Sequence, residues 1–193
     1  MTSYLLSILI CTIEGREEEL DKVRSELDRQ IAQSGASIEI LTFSDDKSIP
    51  VGDKRNKLLS IANGKYTCFV DDDDMVSPNY IKHIIQGLNQ DVDCVGIKGI
   101  ITFSGKNPRT FIHSIQYDKY FENGGVYYRP PNHLNPIKRE IALKFKFPVK
   151  NCGEDTDWAM SICKAKALRS EWYIEEPIYY YQYDHNKTAT QRK

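Results

Sequence analysis

Four short apolar runs separated by three helical patterns constrain this chain more than any other feature. The run "YLLSILICT" (4–12) has the length of a strand. The segment "EGREEELDKVRSELDRQIAQSG" (14–35) then places Leu20, Val23, Leu27 and Ile31 at helical spacing, with Gly35 as the expected stop. "SIEILTF" (37–43) reads as a second strand, "KRNKLLSIANG" (54–64) as a helix ending at Gly64, and "KYTCFV" (65–70) as a third strand. Ser77 followed by Pro78 reads as an N-cap and a first-turn proline, so "PNYIKHIIQGLN" (78–89) is a helix. "VDCVGIKGII" (92–101) is the fourth strand. A β-α-β-α-β-α-β order predicts an α/β fold, a three-layer sheet with right-handed crossovers.

The second half has a different grammar. "RTFIHSI" (109–115) and "GVYYRP" (125–130) read as strands, with "ENGG" as a turn. "NPIKREIALKF" (135–145) reads as a short helix, and "GEDTDWAMSICKAKAL" (153–168) as a longer one with Trp158, Ile162 and Ala165 on one side. "EWYIEE" and "IYYYQYDH" close the chain as two strands. No repeat or linker divides the 193 residues, so one domain is expected.

Composition excludes several classes. A net charge of -1 gives no electrostatic case for nucleic acid or an anionic membrane. Five scattered cysteines without a C-x-x-C pair argue against a disulfide framework or a cysteine zinc site, and for a reducing compartment. Cys11, Cys68 and Cys94 sit in apolar runs and are expected in the core. The N-terminal apolar run lacks a basic flank and is too short to span a bilayer, so a cytoplasmic location is expected.

Against this frame "FVDDDDMVSPNY" (69–80) demands a partner. Two unit charges about 4 Å apart repel by about 4 kcal/mol at an effective dielectric of about 20. A run of four carboxylates at a strand end therefore needs a basic side chain or a metal ion nearby. In open α/β sheets ligands bind at that end. A solvated acidic turn is the bland alternative. An EF-hand is disfavoured, because position 6 counted from Asp71 is Val76 and position 12 is Lys82. A haloacid-dehalogenase-type phosphatase fits "DDDMV", with Asp72 as nucleophile, but that strand normally opens its domain. A third reading is a D-x-D site in which Mg²⁺ or Mn²⁺ shares carboxylate and diphosphate oxygens.

"KRNKLLSIANGKYTCFVDDDDMVSPNY" resembles the core of family 2 glycosyltransferases, which have the GT-A fold. The resembling elements are an Arg-Asn helix, Ala-x-Gly-x-Tyr, an apolar strand, D-x-D-D and a proline four residues after the last aspartate. The resemblance runs from "SILICT" to "YDH" and implies one GT-A domain over 1–193. Residues 1–100 would bind the nucleotide sugar and 101–193 the acceptor. It implies Asp71 and Asp72 on the ribose or sugar, Asp73 as the principal metal ligand and Asp74 in support. Asp45 or Asp46 of "SDDKS" would bind the nucleobase, favouring UDP, with an Asx-turn as the bland alternative. Thr12 and Glu14 would line the base pocket, and Arg55, with Lys54 beside it, would reach the base or diphosphate.

In "NCGEDTDWAM" Asp155 aligns with the family's general base, which implies inversion. The alternative is that Glu154, Asp155 and Asp157 only complement a helix N-terminus. His185 would reach the metal or diphosphate, with Lys187 and Arg192 over the phosphates. His133 and Asn135 would line the acceptor site, and the tyrosines of "IYYYQY" are assigned to packing. No Q-x-x-R-W motif appears and no transmembrane helices follow, so processive polysaccharide synthesis is not expected. A nucleotidyltransferase would open with a glycine-rich basic loop, and "CTIEGREE" is too acidic for one. A non-catalytic nucleotide-binding module is the remaining alternative. The expected donor is a UDP-hexose, glucose first, and the acceptor is open.

Overall fold

The computed structural model describes residues 4–183. In chain order the elements are β1 (Leu6–Ile13), α1 (Glu17–Ser34), β2 (Ile38–Asp45), α2 (Val51–Ile61), β3 (Tyr66–Phe69), β4 (Met75–Val76), α3 (Tyr80–Leu88) and β5 (Cys94–Phe103). They continue with β6 (Lys106–His113), β7 (Phe121–Asn123), β8 (Val126–Arg129), β9 (Ile137–Lys138), α4 (Arg139–Ala142), α5 (Glu154–Lys164) and β10 (Glu171–Tyr183). One mixed sheet runs β2-β1-β3-β9-β5-β6-β8-β7, and β10 pairs with β5 and β4.

β1 is buried along its whole length because both edges and both faces are covered. It runs parallel to β2 on one side and to β3 on the other. Its side chains alternate between two cores. Leu6, Ile8 and Ile10 pack with Val23 and Leu27 of α1 and with Ile81 and Ile84 of α3. Leu9 and Cys11 pack with Leu58 and Leu59 of α2 and with Trp158 and Ile162 of α5. The expected three layers follow from that alternation. Leu20 and Ile31 flank the first core, and Gly35 ends α1 at φ 65°. Cys11, Cys68 and Cys94 are buried as expected.

Several elements differ from the sequence reading. Ser77 does not cap α3, and its buried hydroxyl has no partner among the described residues. Gln30 of α1 replaces it: its amide donates to the Ser77 carbonyl at 2.8 Å and its carbonyl accepts the Ile81 N–H at 2.9 Å. α2 stops at Ile61, short of Gly64, whose N–H donates to Ser7 Oγ at 2.8 Å. The helix expected over 135–145 is instead β9 and one turn, because Ile137 pairs with both Thr67 of β3 and Cys94 of β5 and bridges the sheet between them. Ala165 lies past the end of α5 and is exposed. The two closing strands are one long strand with register shifts around Pro177, a residue that cannot donate to the ladder. The "ENGG" turn joins β7 to β8, with Gly124 and Gly125 at φ 58° and 78°, the signature of a two-residue hairpin turn.

Gly99 sits where β5 is tightest. It pairs with Phe111 of β6 on one side and with Tyr179 of β10 on the other. A Cβ there would run into the Phe111 ring and the Tyr179 carbonyl. Gly99→Ala is expected to cost about 2 kcal/mol by overpacking and to lower the melting temperature by about 4–8 °C in a thermal scan. An unchanged Tm would mean that β6 yields at this point.

Candidate active site

The loop after β3, the end of β1, α2 and the start of α5 face a cleft of about 840 Å³. β1 delivers Thr12, the loop after β3 delivers Asp71, Asp72 and Asp73, α2 delivers Arg55, and α5 delivers Glu154 and Asp155. The site thus lies at the carboxyl ends of parallel strands, as the sheet topology predicts.

The four aspartates are not equivalent. Asp71 accepts from Arg55 Nη2 at 2.9 Å and lies 3.3 Å from His133 Nε2. Burial would raise its pKa, but the charge of Arg55, followed by the imidazole of His133, holds the carboxyl well below the usual range. Asp72 accepts the Thr12 hydroxyl at 2.6 Å and Arg16 Nη1 at 2.7 Å and is 4% exposed. Burial nevertheless raises its pKa. Asp74 accepts the Tyr179 hydroxyl at 2.8 Å and the Gln182 N–H at 2.9 Å. Burial and the charges of Asp71 and Asp73 push it well above the carboxylate range. Asp73 lies 3.2 Å from Arg16 Nη1, and its side chain is 27% exposed. Burial, then the charge of Asp71, raises it to about 6.

Arg55 ties this loop to α5. Its Nε donates to Glu154 at 3.2 Å while Nη2 holds Asp71, and its guanidinium lies 4.9 Å from the Phe69 ring centroid. Buried acid partners raise its pKa despite desolvation. The third nitrogen, Nη1, is buried without a partner. His133 makes a second bridge: Nε2 faces Asp71, and Nδ1 lies 3.6 Å from Asp155 Oδ2, too long for a hydrogen bond. Gly153 at φ 73° opens α5 and lets Glu154 turn inward to Arg55 while Asp155 faces the cleft.

Among the described residues no three His, Cys, Asp or Glu side chains form a cage for a metal ion. Asp71, Asp72 and Asp74 each have both oxygens engaged within the protein, and among the described residues one oxygen of Asp73 has no partner in a hydrogen bond or ion pair. This donor set fits a cation whose coordination a bound diphosphate and water would complete, with Asp73 as the protein's contribution. Asp72, the nucleophile of the phosphatase reading, has both oxygens engaged by Thr12 and Arg16.

The model of the family described as Glycosyl transferase family 2 matches residues 29–170, which hold α2, the aspartate loop and the start of α5. The chain belongs to that family. No curated protein matches it in sequence. Among solved structures it resembles residues 1–349 of S. aureus TarS in complex with UDP-GlcNAc, with a TM-score of 0.60 and 13% identity, over 92% of this chain and 58% of that one. The same TarS fragment in complex with UDP gives a TM-score of 0.57 at 15% identity, over 92% and 60%. At this identity the likeness is one of fold: this family 2 chain has the mixed α/β architecture of GT-A structures and spans about three-fifths of the TarS fragment.

Of the residues singled out in the sequence, the cleft brings together Thr12, Lys54, Arg55, Asp71, Asp72, Asp73, His133, Glu154 and Asp155, while Asn135 is buried behind it. Glu14 is exposed and does not line it. Asp45 spends both oxygens on the chain itself, one on Lys54 Nζ at 2.6 Å and one on the Ile49 N–H at 2.8 Å. Asp46 is exposed and accepts the Ser48 N–H at 3.1 Å, the Asx-turn geometry. Asp157 pairs with Lys150 at the surface. His185, Lys187 and Arg192 lie outside the described residues. Sequence reading missed Arg16, the one basic residue in an acidic stretch directly after β1, and the hydroxyl of Tyr179, which also accepts the Asp71 N–H at 3.1 Å. It named His133 for the acceptor side without its bridge to Asp71.

The upward shift of Asp73 makes a pH prediction. Its stabilising protonated form is complete below the ordinary value near 3.8 and is lost as pH rises through about 6. Asp73→Asn should therefore stabilise the ligand-free protein at pH 7–8 by about 2 kcal/mol, and the gain should vanish near pH 4. Thermal melting across that range checks it, and a gap independent of pH would refute the assignment.

Proposed function

We propose that this chain is a metal-dependent, inverting glycosyltransferase that moves a hexose, glucose first, from a UDP-sugar to an acceptor hydroxyl. The observation that carries the reading is that one cleft is lined both by the partly open carboxylate of Asp73 and by Asp155. S. aureus TarS was solved with UDP-GlcNAc and with UDP, which supports a uridine donor and adds N-acetylglucosamine to the sugars to be tried.

Asp155 takes the proton as the acceptor oxygen attacks the anomeric carbon on the side opposite the leaving diphosphate. A single base and in-line displacement give inversion. The Asp155 side chain is about one-quarter exposed, so an acceptor hydroxyl can reach it. Arg55 fixes the first turn of α5 through Glu154, the residue next to Asp155. Mg²⁺ or Mn²⁺ held by Asp73 would neutralise charge on the departing diphosphate, with His185 as a second candidate ligand. Thr12 and Arg16 hold Asp72 against the end of β1, which keeps the loop in register with the donor end of the cleft.

The test is nucleotide release from UDP-, GDP- and TDP-sugars with Mn²⁺, Mg²⁺ or EDTA. Release from one UDP-sugar, abolished by EDTA and by Asp73→Ala, is expected. Asp155→Asn should lower kcat by about 10²- to 10⁴-fold, with little change in UDP affinity. Full turnover in Asp155→Asn would remove the assigned base, and UDP binding without turnover by any sugar would leave a nucleotide-binding module.

A further inference from the structure

Three arginines line the cleft, and two of them are neutralised by acids. Arg16 pairs with Asp72 and Asp73, and Arg55 with Asp71 and Glu154. Arg129 is different. Among the described residues its side chain makes no ion pair and no hydrogen bond; its guanidinium lies between two aromatic faces, 5.5 Å from the Tyr120 ring centroid and 5.8 Å from that of Tyr127. It closes β8, opposite His113 of β6. In the sheet β8 is separated from β3 and its aspartates by β9, β5 and β6, on the side away from β1 and β2.

Among the described residues no acid forms an ion pair with Arg129, and two buried polar atoms beside it, Tyr120 Oη and His113 Nε2, meet no close hydrogen bond, although Asn132 lies near both and the charge of Asp155 reaches Tyr120. His113 Nδ1 lies 3.2 Å from Asn135 Oδ1, which also accepts the Asn132 N–H, so Nδ1 carries the proton and Nε2 presents a lone pair. Burial and the charge of Arg129 keep that imidazole neutral. The local inventory is thus a planar cation, a phenolic donor and one acceptor.

We propose that Arg129 forms a subsite for an anionic group on the acceptor, a phosphate ester or a carboxylate beside the hydroxyl that is glycosylated. The guanidinium fork matches two oxygens of such a group, and the aromatic faces hold it in place. Placement on the far wall separates this charge from the donor end, where Arg16 and Arg55 stand. The proposal rests on the glycosyltransferase reading for the word acceptor, but the anion site is testable without it.

The experiment is titration of the UDP-saturated protein with sn-glycerol 3-phosphate, with glycerate and with glycerol, followed by amide chemical shifts. The expected result is saturable binding of either anion at β6 and β8, at least tenfold tighter than glycerol. Arg129→Gln should weaken anion binding at least tenfold while UDP affinity changes less than twofold, and Arg129→Lys should retain part of the binding and guard against a folding defect. Equal binding of glycerol and the anions, or no binding of either anion, would overturn the subsite. An equal loss of UDP affinity in Arg129→Gln would also overturn it and move Arg129 to the donor. Anion binding by a protein that turns over no nucleotide sugar would leave the subsite standing and remove the glycosyl-transfer reading.

Discussion

The site depends on one buried cation. Arg55 is 5% exposed and joins an acid of the loop after β3 to an acid of α5, segments separated by more than eighty residues of chain. Buried ion pairs of this kind add little net stability when intact, yet breaking one strands a charge at a cost of about 3–5 kcal/mol. Their value is geometric. Glu154 neighbours Asp155, and Asp71 stands two residues before Asp73, so fixing the inner acids fixes the outer ones. Phe69 beneath the guanidinium and His133 beside Asp71 keep the arrangement from collapsing to another pairing.

The same logic explains how four identical residues in sequence acquire four different states. Asp71 is held ionised by Arg55, and Asp74 is driven toward its neutral form by burial among its neighbours. Tyr179 links the two: it accepts the Asp71 N–H and donates to Asp74, so β10 sets the curvature of the loop. With Asp72 held by Thr12 and Arg16, Asp73 is the raised aspartate whose side chain stays partly open to the cleft. A carboxylate made unfavourable by its neighbours and left partly open is a group that gains from a ligand cation.

Legibility in the sequence followed the range of the interactions. β1, β2, β3, α1 and α3 were readable because each is declared by its own periodicity and stops. The aspartate loop and Asp155 were readable because strand end and helix start are local signals, and the resemblance to family 2 organised them. What could not be read depends on distant partners. The Ser-Pro cap signal was overridden by Gln30, fifty residues away on α1. The segment over 135–145 became β9 because a gap between β3 and β5 needed a strand. Of the pair Asp45 and Asp46, Asp45 is engaged by Lys54 and the Ile49 N–H, and Asp46 accepts the Ser48 N–H in a local turn. Tyr179 looks like packing, and it is buried, but its hydroxyl is part of the site.

Charge is distributed along the cleft in a way that the fold alone does not require. At the β1 and β3 side Arg16, Arg55 and Lys54 are each paired with acids, Asp72 and Asp73, Asp71 and Glu154, and Asp45. At the β8 side Arg129 stands against aromatic rings and a neutral histidine, and among the described residues no acid forms an ion pair with it. Many chemistries share one architecture, and what distinguishes this chain is where its paired and unpaired charges lie on that architecture.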